Sequence, residues 1–192
     1  YFVGQRTGDQ FVARRCERLD GGPDIYAPAV LVDRAGRRIL FGWSWEARKV
    51  SAQVKDGWAG LLTVPRLLSL GQGDRLALSP VPEIEELRGE ATTLVDVEVP
   101  SNDSVVLRGI SGASLDIEVT LRAGTAQQTG LRILASPDGE EYVALTWDPY
   151  RGTLMLDRER ASLSAEAYGG VSGVELGGSG HPTELSLRIL ID

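Results

Sequence analysis

Short apolar runs with a period of two dominate this chain, and turn residues separate them at close spacing. Leu115, Ile117, Val119 and Leu121 alternate with Asp116, Glu118 and Thr120, the pattern of a strand with one face on a core and the other in water. Tyr1–Gly4 and Gln10–Arg14 read as a hairpin around Thr7-Gly8-Asp9. Ala29–Val32 and Arg38–Trp45 make a second pair across the polar turn Asp33–Arg37, and Gly60–Val64 is a third apolar run, stopped by Pro65. Leu67–Leu70 and Arg75–Leu78 flank Gly71-Gln72-Gly73-Asp74, a further hairpin signal. After Ala91 strands are expected at Thr93–Val99, Ser104–Gly109, Ser114–Leu121, Gly130–Leu134, Tyr142–Trp147, Thr153–Asp157 and Leu185–Ile191. The connections are too short for crossover helices, so the pattern predicts an all-β, antiparallel protein built like propeller blades or part of a sandwich.

Two stretches break the rhythm. In Pro80–Leu87, Pro82 suits the first position of a helix, and Glu83, Glu85 and Glu86 fall where carboxylates favour the helix dipole. Ile84 and Leu87, three apart, give one apolar edge, so a short linker helix with a solvated acidic face is expected here. Ser172–Pro182, rich in Gly and Ser, reads as a loop; no helix follows its glycines, so it is not a phosphate-binding fingerprint.

The stretch from Asp20 to Trp45 holds the candidate chemistry. Its Gly-Gly-Pro-Asp turn presents Asp24 and Tyr26 at a strand start, and the following hairpin ends in Trp43 and Trp45, which alternation places on one face. Two tryptophans beside a carboxylate and a phenol make up a sugar-binding floor and equally an ordinary β core. Periodicity does not choose between the two. Trp45 and Trp58 also suit interface packing, and Trp147 suits the core of the later strands.

Composition narrows the partners. With 42% hydrophobic and 24% charged residues in 192, the chain suits one or two globular domains. A formal net charge of −7 argues against nucleic acid or an anionic membrane surface as partner and is compatible with a neutral carbohydrate. No run of about 18 apolar residues marks a membrane-spanning helix. Lys49 and Lys55 are the only lysines, an arginine bias that reads as the mark of a G+C-rich genome. A single cysteine, Cys16, excludes an internal disulfide framework and reads as a buried or half-buried structural residue. With one histidine, His181, in the Gly/Ser-rich loop, a zinc site of His and Cys ligands is excluded and no metal is expected. Tyr1 starts as if inside a strand and Ile191-Asp192 ends one without a polar tail; both ends are expected to be cut from a longer protein, and localisation is left open between cytoplasm and secretion.

The ordered motifs YFVG, LDGGPDIYAP, GRRILFGWSWE, GWAGLLTVPRLLSL and PVPEIEELR, spanning Tyr1–Arg88, resemble the C-terminal half of glycoside hydrolase family 32, the β-fructofuranosidases that include invertases, sucrose-6-phosphate hydrolases, levanases and inulinases. Residues 89–192 resemble that family's C-terminal sandwich in patterning and position. The resemblance implies the last part of a five-bladed β-propeller over 1–79, a linker helix over 80–88 and a β-sandwich over 89–192. It also implies a retaining mechanism through a covalent fructosyl intermediate, which needs carboxylates and no metal or organic cofactor. In the family those carboxylates lie in NDPNG-like, Arg-Asp-Pro and Glu-Cys motifs. None of these occurs here, since Cys16 precedes Glu17 in the reverse order. No catalytic residue is therefore assigned, and this chain alone is expected to be inactive.

What the resemblance leaves on this chain is a pocket wall. Asp24 and Tyr26 match the family's D-x-Y-A motif and Trp43 the tryptophan after its GRRI strand, with Trp45 beside it. These four are the candidate substrate-binding residues for sucrose or a fructan; for Asp24, capping of backbone N–H groups is the competing role. Two functions of different class follow: part of a β-fructofuranoside hydrolase, or a non-catalytic carbohydrate-binding or interaction module. An incomplete propeller also exposes strand edges, so self-association is expected.

Overall fold

The first hairpin forms where Gly8, at φ 59°, lets the chain reverse: β1 (Phe2–Thr7) and β2 (Gln10–Cys16) pair antiparallel as a separate two-stranded sheet. This architecture is seen in a computed structural model of the chain, which describes residues 1–177 and 182–192; His181 lies outside the described residues. Cys16, at the end of β2, is exposed, correcting the expectation of a buried thiol. It lies on a two-stranded sheet, and such a ribbon has little interior to offer.

β3 (Ile25–Val32), β4 (Arg38–Ser44), β5 (Leu61–Leu62), β6 (Arg66–Leu70) and β7 (Leu76–Pro80) form a five-stranded sheet in the order β3-β4-β6-β7, with β5 also on β4. The β3–β4 turn is set by one side chain. Asp33 Oδ1 accepts the N–H groups of Ala35 at 2.9 Å and Arg37 at 2.8 Å, and Gly36 takes φ 79°. Arg37 then joins Asp33 to Glu83, at 2.6 Å each. So Glu83 is an ion-pair partner rather than only a solvated acid. The linker helix is 3-10 rather than α, over Pro82–Leu87, and Leu87 is exposed rather than part of an apolar edge. Between β4 and β5 lies α1 (Val50–Asp56), which the periodicity did not announce: Val50 and Val54, four apart, both face solvent.

The chain divides into two compact units, Tyr1–Glu86 with Ser164–Tyr168, and Leu87–Leu163 with Gly169–Asp192. In the second unit, β8 (Leu115–Arg122) pairs with β13 (Glu184–Ile191), while β9 (Thr129–Ile133), β10 (Val143–Asp148), β11 (Thr153–Asp157) and β12 (Val171–Glu175) form a four-stranded antiparallel sheet. Fully buried Trp147 of β10 packs with Leu121 and Ala123, and Val119, Leu131, Leu154 and Leu187 close around them. That is a sandwich core between two sheets. The alternating residues of β8 point as expected, with Leu121 inside and Asp116 held by Arg188 and Arg88.

Three expectations change here. Residues 93–99 and 104–109 are not strands. Leu94, Val95, Val97 and Val99 are exposed, and Asp96, Asn102 and Gly109 take positive φ, which interrupts an extended run. Alternation makes a segment suitable for a sheet, but a ladder partner has to be there. Conversely, β12 occupies part of the expected loop. Its Gly173 lies so close to β11 that an added Cβ would stand 2.4 Å from Met155 Sδ. The glycine that resembled a loop signal is a close-approach residue inside a strand.

Candidate functional site

The aromatic face of the first unit is assembled by cross-strand pairing. Tyr26 of β3 is the register partner of Trp43 of β4, and Trp43 pairs on its other side with Leu62 of β5. Directly opposed residues on adjacent strands share a face. A bulge between Tyr26 and Ala29, with Ala27 at φ 45° and Pro28 unable to donate to the ladder, bends β3 immediately after Tyr26. The strand before the bulge is thus free to aim its side chain independently of Ala29–Val32.

The rings gather closely. Tyr26 and Trp43 meet edge to face with centroids 6.4 Å apart, Tyr26 lies 5.8 Å from Trp45, and Trp43 and Trp45 stack at 5.8 Å with 16° between planes. Trp45 follows the end of β4, and its N–H donates to the Asp24 carbonyl oxygen at 2.7 Å. Asp24, half-buried, therefore stands at the same end of the hairpin as the three rings. The trio is open to solvent: Tyr26 is 58%, Trp43 37% and Trp45 57% exposed. Such a surface of indole and phenol faces offers apolar area with a few polar groups at its margin. A shallow cleft lined by Arg18, Asp20, Pro23, Ile25 and Pro28 lies elsewhere on the same loop and strand, and the trio does not line it.

Behind the rings runs a charged network that the sequence reading did not single out. Glu46 accepts Arg48 Nε at 2.7 Å and Nη2 at 3.1 Å, and the Gly60 N–H at 3.3 Å. The Arg48 fork, aided by the Gly60 N–H, holds the Glu46 carboxyl below the usual carboxylate range. Arg48 also pairs with Asp56 and lies 4.2 Å over the Trp58 ring. Trp58 is thus a cation–π partner, half open to water. The available signal was Glu-x-Arg directly after an aromatic strand end, two carboxylate-to-guanidinium positions on one side of an extended segment.

With its carboxylate held ionised by three N–H donors, Glu46 is placed as an acceptor that ties Arg48 to Gly60. Asp20 is engaged in its own turn, accepting the Gly22 N–H at 2.5 Å. The arrangement fits binding of a neutral, hydroxyl-rich ligand against ring faces.

The comparisons with known proteins agree on one family. The profile of the glycosyl hydrolases family 32 N-terminal domain matches residues 1–80, and that of the family 32 C terminal matches residues 83–192. Fructan 1-exohydrolase from Bromus pictus is 29% identical over 215 aligned positions, covering 91% of this chain and 35% of that protein. Sucrose-6-phosphate hydrolase from Zymomonas mobilis is 32% identical over 169 positions, covering 84% of this chain and 31% of that protein. Among solved structures, fructan 1-exohydrolase IIa from Cichorium intybus superposes with a TM-score of 0.82 at 23% identity, over 100% of this chain and 44% of that one. The chain spans about a third of the length of these two curated relatives. Its fold is the all-β one of propeller-plus-sandwich enzymes.

Proposed function

Because this chain belongs to glycosyl hydrolase family 32, we propose that it forms part of an enzyme that hydrolyses β-fructofuranosides, sucrose or fructans, with retention of configuration. Residues 1–79 supply the last part of its propeller, 80–88 the link and 89–192 its sandwich. The observation that carries this reading is the coincidence of the family match with an exposed trio of rings at one strand end. Trp43 offers an indole face to the C–H side of a fructosyl ring, Tyr26 and Trp45 extend that floor, and Asp24 orients a hydroxyl at its margin.

The chain's contribution is binding rather than bond cleavage. It contains no Asn-Asp-Pro-Asn-Gly, Arg-Asp-Pro or Glu-Cys sequence, and retaining hydrolysis needs a nucleophile and an acid/base placed on either side of the glycosidic bond. On its own it is expected to bind inulin weakly and to release no fructose from sucrose, inulin or levan. Fructose assay on the purified chain tests the second point, and sustained turnover overturns it. The runner-up reading, a stand-alone carbohydrate-binding module, is supported by the absence of the three family motifs from this sequence beside an exposed ring cluster. Hydrolysis regained on adding upstream propeller sequence favours the enzyme, and unchanged binding with no turnover favours the module.

The edge strand β3 exposes Val30, Leu31 and Val32. An open edge with apolar side chains favours pairing with another chain. We therefore expect the isolated protein to self-associate, and monomeric light scattering at high concentration counts against it.

A further inference from the structure

We propose that Glu46 and Arg48 are positioning residues for the aromatic platform: their ion pair fixes the Gly60 backbone against the Trp43 indole and so sets the angle at which Trp43 faces a sugar. The sugar-facing part of this statement rests on the function proposed above; the mechanical part rests on geometry alone.

The chain of contacts has three links. Glu46, with its side chain 9% exposed, is forked by the Arg48 guanidinium, which fixes the carboxylate plane as a single hydrogen bond cannot. The same carboxylate receives the Gly60 N–H. Gly60 then abuts the indole edge: a Cβ added there would stand 1.9 Å from Trp43 Nε1 and 2.6 Å from its Cε2. With φ at 68° as well, this position needs glycine twice, for backbone conformation and for space. No side chain can fit between the Gly60 α-carbon and the ring, so a shift of Gly60 is a shift of Trp43.

The far side of the network is anchored too. Gln53 Nε2 donates to the Arg48 carbonyl oxygen at 2.7 Å, and the irregular segment after β4 that bears Glu46 and Arg48 is held by Ser164–Tyr168, with an isolated bridge between Arg48 and Ala167. Lys49 N–H donates to Glu166 O at 2.7 Å, Tyr168 N–H donates to Ala47 O at 2.8 Å, and Ser51 Oγ bonds the Glu166 carboxylate. An exposed ion pair contributes little to stability. This one is half-enclosed, bidentate and shared with a backbone donor, so its main effect is on orientation. Without Arg48, Glu46 keeps one N–H partner and draws in water, and Gly60 loses its fixed acceptor.

The experiment uses the full chain. The Trp43 Nε1–H resonance, assigned through Trp43→Phe, reports ring position, and inulin titration reports affinity, for wild type, Trp43→Ala, Glu46→Gln, Arg48→Lys and Gly60→Ala. Trp43→Ala is expected to weaken inulin binding about tenfold or more. Glu46→Gln is expected to weaken it about threefold to tenfold and to shift the Trp43 resonance while thermal unfolding stays close to wild type. Arg48→Lys keeps the charge but loses the fork, and should fall between wild type and Glu46→Gln on both readouts; it also decides the matter if Glu46→Gln does not fold. Gly60→Ala should displace the resonance most. Unchanged resonance and affinity in both Glu46→Gln and Arg48→Lys, with Trp43→Ala still impaired, overturn the positioning role and leave the platform standing. Unchanged affinity in Trp43→Ala overturns the platform instead, while a resonance shifted by Glu46→Gln still supports the mechanical link.

Discussion

The two units treat tryptophan in opposite ways. The first carries Trp43, Trp45 and Trp58 between 37% and 57% exposed, whereas the second buries Trp147 completely. Burying such a ring stabilises a core by several kcal/mol, and leaving it in water forgoes that gain. Three large rings stand at the surface of one unit, with Trp43 and Trp45 stacked on each other and Trp58 under Arg48, and the platform proposed above rests on that exposure. Trp147 sits where it does because Leu121, Ala123 and Leu131 need a central partner. Residue type alone does not separate the two fates; the neighbours do.

The largest test of this contrast is a pair of deletions. Trp147→Ala should cost about 3–5 kcal/mol by chemical denaturation, and Trp45→Ala no more than about 0.5 kcal/mol. Similar losses at both positions erase the distinction between core and platform.

A second test compares how acid acts on the sandwich. Arg188 donates to Asp116 at 3.0 and 2.8 Å and Arg88 at 2.6 Å, and these bonds hold the Asp116 carboxyl down to about 2. A carboxyl whose folded value lies below its unfolded one adds stability that is complete above about pH 4 and is lost as pH falls toward 2. Melting followed by circular dichroism should show this loss in wild type and a flatter profile in Asp116→Asn, which is already destabilised at neutral pH. Identical slopes for the two proteins would remove Asp116 from the account.

Binding gives the third comparison. Trp45→Ala should weaken inulin binding about threefold to tenfold, while Trp147→Phe, which keeps a ring in the core, should leave it unchanged. The smallest effect expected is at Cys16. Since it is exposed at the end of a two-stranded sheet, Cys16→Ser should change stability by less than about 0.5 kcal/mol; a larger loss restores the structural role that the sequence suggested.

Local signals were legible where the fold is local. The Thr7-Gly8-Asp9 and Asp33–Arg37 turns stand where their residues place them, and the alternation in Leu115–Leu121 matches a half-buried strand. The aromatic trio was legible for the same reason, because a hairpin register puts Tyr26 opposite Trp43. Pairing between distant segments was not. Thr93–Val99 has a strand's alternation without a ladder, and Val171–Glu175 has a ladder despite its glycine. Helix α1 has no apolar stripe to betray it; its termination at Gly57, φ 77°, was its one local mark. The Glu46–Arg48–Gly60 network stayed hidden because it joins positions 14 residues apart through a turn that only the folded chain closes.

The five residues Ser164–Tyr168 carry a consequence for how this protein is made. Ser51 and Glu166, 115 positions apart in the chain, bond within one compact unit. During synthesis the ribosome delivers β1 to β7 long before it delivers Ser164–Tyr168. The Ala47 carbonyl and the Lys49 N–H therefore wait for Tyr168 and Glu166 until most of the sandwich has emerged. Contacts of such long sequence separation form late and slowly. A gene shortened to end at Glu86 stops at a boundary that looks natural in the linear sequence but discards the segment that finishes the first unit. Expression of that half should yield less ordered protein than co-expression with the remainder.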